Sequence, residues 1–448
     1  MRDVMMFAAM LALVPLAFAN SFNAFLLWGW TALLSPSFYL FGFMQGLRYN
    51  LIFAVIALGL WMLGKLEMKG KFNASSTNVL LIAFTLQVTL SACFAYDGNP
   101  WNWDVYQNFI KSVSFALMIP VFVSSRLRIH AIILVICLAL GFHGVVEGLK
   151  VVVTAGGHRV SGIPTSMMSD NNHFAVGMCM VLPLLIYLML NLKERLARLA
   201  AMAGLGLTVL AVMGTNSRGG FLCLAVLGIW YALTSRRKIL GVFVVITLAF
   251  IALQLAPDSW FQRMESIKSA DLDSSFLGRV IAWKISTAVG LANPIFGGGV
   301  HAIQSAPVWQ EFMYRTDFLS FVPTPPPAPF PRAAHSIYFE IFGDLGVLGF
   351  ALFTGLIVNA FITARRIRRL IGNRPELLWA RDLSDSLKLA LVAYCVGGGG
   401  VSLGYFELFY VLIMLIEALR QHVLSCSQPQ EIKMGMHERP STHALGGI

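Results

Sequence analysis

Long apolar runs, cut at intervals by loops rich in Lys and Arg, constrain this chain more than any other feature. Val79–Ala95, Ala131–Val146 and Ile239–Ala256 are long enough, or nearly so, to cross about 30 Å of hydrocarbon as helices. Only 12% of the residues are charged and 57% are hydrophobic, whereas a soluble domain carries about 25% charged residues. No soluble core hides that much apolar surface. The sequence therefore predicts an all-α polytopic membrane protein with about twelve transmembrane helices.

Spans are expected near 4–34, 48–64, 79–95, 106–124, 129–148, 172–191, 199–214, 219–234, 239–256, 336–363, 386–403 and 404–420. Residues 4–34 form either one kinked span or two short ones around Asn20-Ser21. The last two spans share an apolar run broken by Gly397-Gly398-Gly399-Gly400. Basic residues collect in every second loop: Lys65/Lys69/Lys71, Arg126/Arg128, Lys193/Arg195/Arg198, Arg236/Arg237/Lys238, and the run from Arg365 to Arg381. The positive-inside rule puts these loops in the cytoplasm. Loops 35–47, 96–105, 149–171, 215–218 and 257–335 then face outward. The net charge of +11 follows from this topology, and nucleic acid is not expected as a partner.

The six cysteines form no CxxC, and all but Cys426 lie in apolar segments, so they read as core residues. Arg2 and the apolar run ending Ala17-Phe18-Ala19 mimic a signal peptide, although a first membrane helix is the expectation. The chain divides into transmembrane helices over 1–256, a large outer loop over 257–335, C-terminal transmembrane helices over 336–424 and a polar cytoplasmic tail over 425–448. The 257–335 loop is anomalous, because loops beyond about 15 residues are uncommon unless functional or disordered. Trp260, Phe261, Met264 and Ile267 recur at helical spacing, as in a helix lying on the membrane surface. Pro323 to Pro331 is a stiff extended stretch.

The outward side also holds basic residues that topology does not require. Arg159 sits in Gly157-His158-Arg159-Val160, Arg218 in Thr215-Asn216-Ser217-Arg218-Gly219-Gly220, and Arg279 in Arg279-Val280-Ile281-Ala282-Trp283. Each either grips an anion or snorkels as an interfacial anchor. Arg218 is the most informative. Thr215 and Ser217 can cap the following span, and Gly219 and Gly220 open space for a ligand. A guanidinium there meets a phosphate through two parallel bonds and keeps its charge at any physiological pH. His335 opens the next span and is either structural or a general base near neutrality. Glu340 and Asp344 follow inside the span, where a carboxylate needs a partner such as an arginine. Asp271-Leu272-Asp273 reads as a solvated turn more readily than as a metal site. No P-loop, HExxH or GxGxxG pattern supports nucleotide chemistry.

Thr215 with Ser217-Arg218-Gly219-Gly220, Arg279 with Trp283, Asn293-Pro294 with Gly297 and Gly299, and His335-Ser336 with Gly343 and Gly346 resemble the bacterial O-antigen ligase/polymerase superfamily. Arg159-Val160-Ser161-Gly162 and Asp170-Asn171-Asn172 look like its O-glycosylation ligase branch. The resemblance implies a GT-C-like helical fold in the bacterial inner membrane with its active site facing the periplasm. It implies transfer of a glycan from undecaprenyl diphosphate to the lipid A core with neither metal nor cofactor, and a single direct attack without an enzyme nucleophile predicts inversion. By this resemblance His335 is the base and Arg218 and Arg279 hold the diphosphate, and the outward basic cluster adds Arg159 to them. Ser217, Trp283, Tyr338 and Glu340 support them. Protein O-oligosaccharyltransferases and O-antigen polymerases share this chemistry, and a membrane transporter is the alternative of another kind.

Overall fold

The computed structural model describes residues 2–66, 70, 72–98, 100–164, 166–234, 274–315 and 317–426. Among these the fold is helical without strands: an all-α polytopic membrane protein. The expected span at 239–256, the surface helix at Trp260–Ile267, Asp271-Leu272-Asp273 and nearly all of the 425–448 tail lie outside the described residues.

The N-terminal half comprises α1 (Arg2–Ala19), α2 (Ser21–Leu34), α3 (Tyr49–Met62), α4 (Ser76–Cys93), α5 (Pro100–Phe122), α6 (Arg126–Val153), α7 (Asn171–Asn191), α8 (Arg195–Gly214) and α9 (Arg218–Thr234). The remainder comprises α10 (Ser274–Ala292), α11 (Ala306–Phe312), α12 (Ile337–Ile371), α13 (Leu378–Gly398) and α14 (Glu407–Ser425). Eight of these are long and apolar enough to cross a membrane. Residues 4–34 form two helices, because the Asn20 side chain accepts the Phe22 N–H at 2.8 Å and caps α2. The region expected as an outer loop contains α10, a helix of 19 residues.

Burial separates centre from rim. Helices α7 and α14 bury most of their length. By contrast Val4, Val55, Leu86 and Leu138 on α1, α3, α4 and α6 are exposed, as side chains facing lipid must be. Close packing relies on small residues, since lipid provides no hydrophobic drive between helices. Gly144 and Gly148 of α6 lie against Thr208 and Leu207 of α8, and a Cβ at Gly148 would collide with the Leu207 carbonyl.

Helix α12 breaks at Gly346, where φ is +69° and ψ is −168°. Backbone groups freed in an apolar interior must find partners. The loop after α10 provides them: Gly298 N–H donates to Gly343 O at 2.9 Å and Gly299 N–H to Asp344 O at 3.0 Å. From α4, Ser91 Oγ donates to Asp344 O at 2.7 Å and Gln87 Nε2 to Leu345 O at 3.2 Å. Contact is close enough that a Cβ on Gly346 would lie 2.5 Å from Pro294 O. The Asn293-Pro294 and Gly297/Gly299 motif and the Gly343/Gly346 motif are thus two halves of one backbone joint.

Gly346→Ala should lower the thermal midpoint of the purified protein by several degrees, since this positive-φ, extended-ψ conformation is essentially confined to glycine and alone costs about 1–3 kcal/mol with a side chain. Gly355→Ala is the control. Its Cβ would meet only Leu80 Cδ2 at 3.8 Å, so its midpoint should scarcely move. Equal midpoints for the two variants would contradict the joint.

Candidate active site

The ends of α7, α9, α12 and the α13–α14 loop meet at one end of the bundle. The Lys193–Arg198 and Arg365–Arg381 loops, at the far ends of α7 and α12, lie at the opposite end. Asp170 caps α7 by accepting the N–H groups of Asn172 at 2.8 Å and His173 at 3.4 Å. The Asn172 side chain donates to Asp170 at 3.0 Å and accepts from Ser217 Oγ at 2.8 Å. Ser217 Oγ also takes the Gly220 N–H at 3.1 Å, capping α9, while Asn171 Nδ2 donates to Thr215 O at 2.9 Å. The turn carrying Arg218 is therefore fastened to the start of α7. Asn216 within it has φ +53°.

His335 stands just before α12, also in the left-handed region with φ +47°. Residues held there without being glycine are uncommon and are kept by their surroundings. Two bonds do the holding: His335 N–H donates to Ser402 Oγ at 2.9 Å, and Trp283 Nε1 donates to Ala334 O at 2.8 Å. Trp283 further stacks on Phe339, centroids 5.0 Å apart. Tyr338 OH donates to Cys395 O at 2.8 Å, tying α12 to α13.

The proline stretch is clamped as well. Buried Lys284 donates to Val322 O at 3.0 Å and Thr324 Oγ1 at 3.2 Å, and Trp309 Nε1 donates to Ala328 O at 2.7 Å. With Trp283 on Ala334, three side chains from α10 and α11 hold the strap that leads into His335.

By sequence Glu340 and Asp344 each need a partner or a wet cavity, and one of the two is a candidate to orient an arginine. Their described bonds go instead to His301 and to backbone of two loops. Glu340 Oε2 accepts the Gly404 N–H at 2.8 Å, and its Oε1 lies 3.2 Å from His301 Nε2. Asp344 accepts the N–H groups of His301 at 2.7 Å and Ala302 at 2.9 Å, and the Tyr405 hydroxyl at 2.9 Å. Burial pushes the His301 imidazole toward neutrality, but the Glu340 bond and the charges of Glu340 and Asp344 outweigh it and raise its pKa.

The His335 imidazole is shifted the other way, below the ordinary 6.5. Burial is the largest cause, followed by the positive charge of Arg279 and by the neighbouring His173 imidazole; Asp170 and Glu340 pull upward but lose. The Arg279 guanidinium would lie 3.9 Å from a Cβ on Gly400, which places it against the loop that holds His335. Arg279 and His335 thus share one site with Trp283, Tyr338 and Glu340, and Ser217 joins Arg218 to it through Asn172 and Asp170. Arg159 is exposed at the rim, where the Val160 N–H donates to Gly214 O at 2.9 Å. Of the two glycines read as ligand space, only Gly219 is open; a Cβ on Gly220 would lie 2.7 Å from Ala175 Cβ.

Sequence reasoning missed His173, Ser402, His301 and Tyr405. His173 directly follows the Asp170-Asn171-Asn172 motif, and Ser402 follows the four-glycine break. The break was the available signal for a loop that enters the site.

Residues 203–354 match the family described as O-antigen ligase. This match supports the O-antigen ligase/polymerase superfamily for that part of the chain. Residues 1–193 match a family of unknown function (DUF5935). No curated protein matches the chain. The ligase match covers Arg218, Arg279 and His335, whereas Asp170 and His173 fall in the other match and Ser402 lies beyond both.

The depressed pKa means that His335 stays neutral to a pH below 6.5. Removing the cation in Arg279→Gln should shift its titration upward, and removing the carboxylate in Glu340→Gln should shift it further down. Histidine NMR across pH 4–8 (about the range in which imidazoles titrate) reads both. Shifts of opposite sign would refute the arrangement.

Proposed function

We propose that this protein transfers a glycan from undecaprenyl diphosphate to a hydroxyl of the lipid A core on the periplasmic face of the bacterial inner membrane. The observation that carries the reading is the meeting of His335 with Arg279 at the bundle end opposite the arginine-rich loops. By the positive-inside rule that end faces outward.

The acceptor hydroxyl loses its proton to His335, an effect worth about 10²–10⁴-fold. Its oxygen attacks the anomeric carbon, and the bond to the diphosphate breaks with its electron pair leaving on the phosphate oxygen. A single displacement inverts the anomeric centre. Arg218 and Arg279 stabilise the charge that builds on the leaving group, which is often the largest electrostatic contribution to catalysis. Arg159 at the rim meets the diphosphate as it enters. The strap from Val322 to Ala334 covers the head group, and membrane lipids border the groove that admits the donor. Neutralisation by guanidinium groups makes the reaction metal-independent.

Polymerase and protein O-oligosaccharyltransferase activities differ from this only in the acceptor. The test is transfer in detergent from undecaprenyl diphosphate-linked oligosaccharide to lipid A–core, to a second glycan and to Ser/Thr peptides. Lipid A–core should be the acceptor used, and activity should persist in EDTA. Loss restored by Mg²⁺ or Mn²⁺ would promote Asp271 and Asp273 instead. His335→Ala should abolish transfer yet leave donor binding nearly intact, and full activity would end the base assignment. Arg218→Lys should also fail, because a point charge cannot replace a planar fork. A wild-type protein that carries the lipid-linked glycan across vesicles without transferring it would make the chain a transporter.

A further inference from the structure

His173 is the third residue of α7. Its Nε2 accepts a hydrogen bond from the Ser402 N–H at 3.2 Å. An N–H can donate only to a ring nitrogen that bears a lone pair, so the neutral imidazole carries its proton on Nδ1. That Nδ1 is buried and has no hydrogen-bond partner among the described residues. Buried donors are rarely left unpaired, and each exception asks for an explanation. The missing acceptor belongs to the site, since Ser402 also holds the His335 backbone through its hydroxyl and the His173 ring acts electrostatically on the His335 ring.

The surroundings say which oxygen fits. The negative charges of Asp170 and Glu340 both act on His173. A phosphate oxygen opposite Nδ1 would be repelled by both carboxylates, whereas an uncharged hydroxyl would not. An alcohol oxygen has one proton and two lone pairs. It can give the proton to one imidazole and accept from another, and still keep a lone pair for attack.

We propose that His173 is an acceptor-binding residue whose Nδ1–H donates to the same hydroxyl that His335 deprotonates. The inference rests on the transfer reading above. In the reaction the hydroxyl proton moves to the His335 ring. One oxygen lone pair forms the bond to the anomeric carbon, and the diphosphate leaves with the electron pair of the broken bond. His173 gains and loses nothing. It fixes the oxygen so that its free lone pair points at the donor.

Two substitutions separate this role from a structural one. Asn places an amide nitrogen where Nδ1 stands and gives up the Ser402 contact. Gln reaches the Nε2 position, keeps an acceptor for Ser402 and gives up the Nδ1 donor. In the full-length protein, with undecaprenyl diphosphate-linked oligosaccharide and lipid A–core, His173→Gln should lose about tenfold or more in kcat/KM for the acceptor, the cost of one neutral hydrogen bond. The donor KM should hold, and His173→Asn should keep most of the activity. Equal losses, or a weaker Asn variant, would overturn the proposal in favour of a purely structural contact. A second measurement does not depend on the variants folding. Nitrogen-15 NMR of wild-type histidines should find His173 as the Nδ1–H tautomer, with a signal that moves on adding lipid A–core alone. An Nε2–H tautomer, or a signal that moves only with the donor, overturns it. Wild-type protein that transfers nothing sinks the functional reading. Normal transfer with an unimpaired His173→Gln sinks this inference alone.

Discussion

Backbone polar groups inside a membrane protein must be satisfied internally, and the active-site end is arranged around that demand. Three loops enter an apolar interior there: 297–302, 334–336 and 399–406. Their N–H groups would be orphaned, at about 1–3 kcal/mol each. Two carboxylates one helical turn apart on α12 satisfy three of them. Asp344 takes the His301 and Ala302 N–H groups, and Glu340 takes that of Gly404. Buried carboxylates are costly in isolation, but accepting several N–H bonds offsets their desolvation. The helix that begins beside His335 therefore also sets the loops that surround it.

The same economy explains the glycines. Gly346 breaks α12, and Gly297 needs its φ of +67° while a Cβ there would collide with the Asp344 carbonyl. The joint aligns the α10 loop with the carboxylates, and α10 carries Arg279 and Trp283. A sub-ångström demand at Gly346 is in this way connected to the position of a guanidinium more than sixty residues earlier in the chain.

Legibility followed range. Helices set by local apolar runs are plain in the sequence: the span expected at 172–191 is Asn171–Asn191, and the one at 199–214 is Arg195–Gly214. The end of α10 was not legible, because Arg279 and Lys284 interrupt its apolar face and its place beside α12 is a tertiary fact. Ser217 as a cap is a local pattern and was readable, and Arg279 and His335 could be named by their chemistry. The partner of His173 lies 229 positions away, and no spacing rule reaches that far. Glu340 and Asp344 read as needing partners, yet three of the partners are main-chain N–H groups, which carry no residue-type signature, beside the His301 ring and the Tyr405 hydroxyl. Gly220 looked like ligand space and is instead a packing contact with α7, a distinction that only the neighbouring helix can make.

The proposed chemistry makes conflicting demands on charge, and the position of Arg279 reconciles them. A diphosphate leaving group calls for cations, while a base near neutrality calls for an unprotonated imidazole. Were the base stabilised by a nearby carboxylate alone, its pKa would rise and it would be protonated when needed. Arg279 acts on His335 in the opposite sense. Before the donor binds, burial first and this charge second keep the imidazole free to accept a proton. Once the diphosphate sits on the guanidinium, much of that charge is screened, and the cost of protonating His335 falls as the acceptor hydroxyl gives up its proton. Base strength thus rises with occupancy of the leaving-group site, so the same cation that holds the donor readies the base only when a donor is there to be attacked.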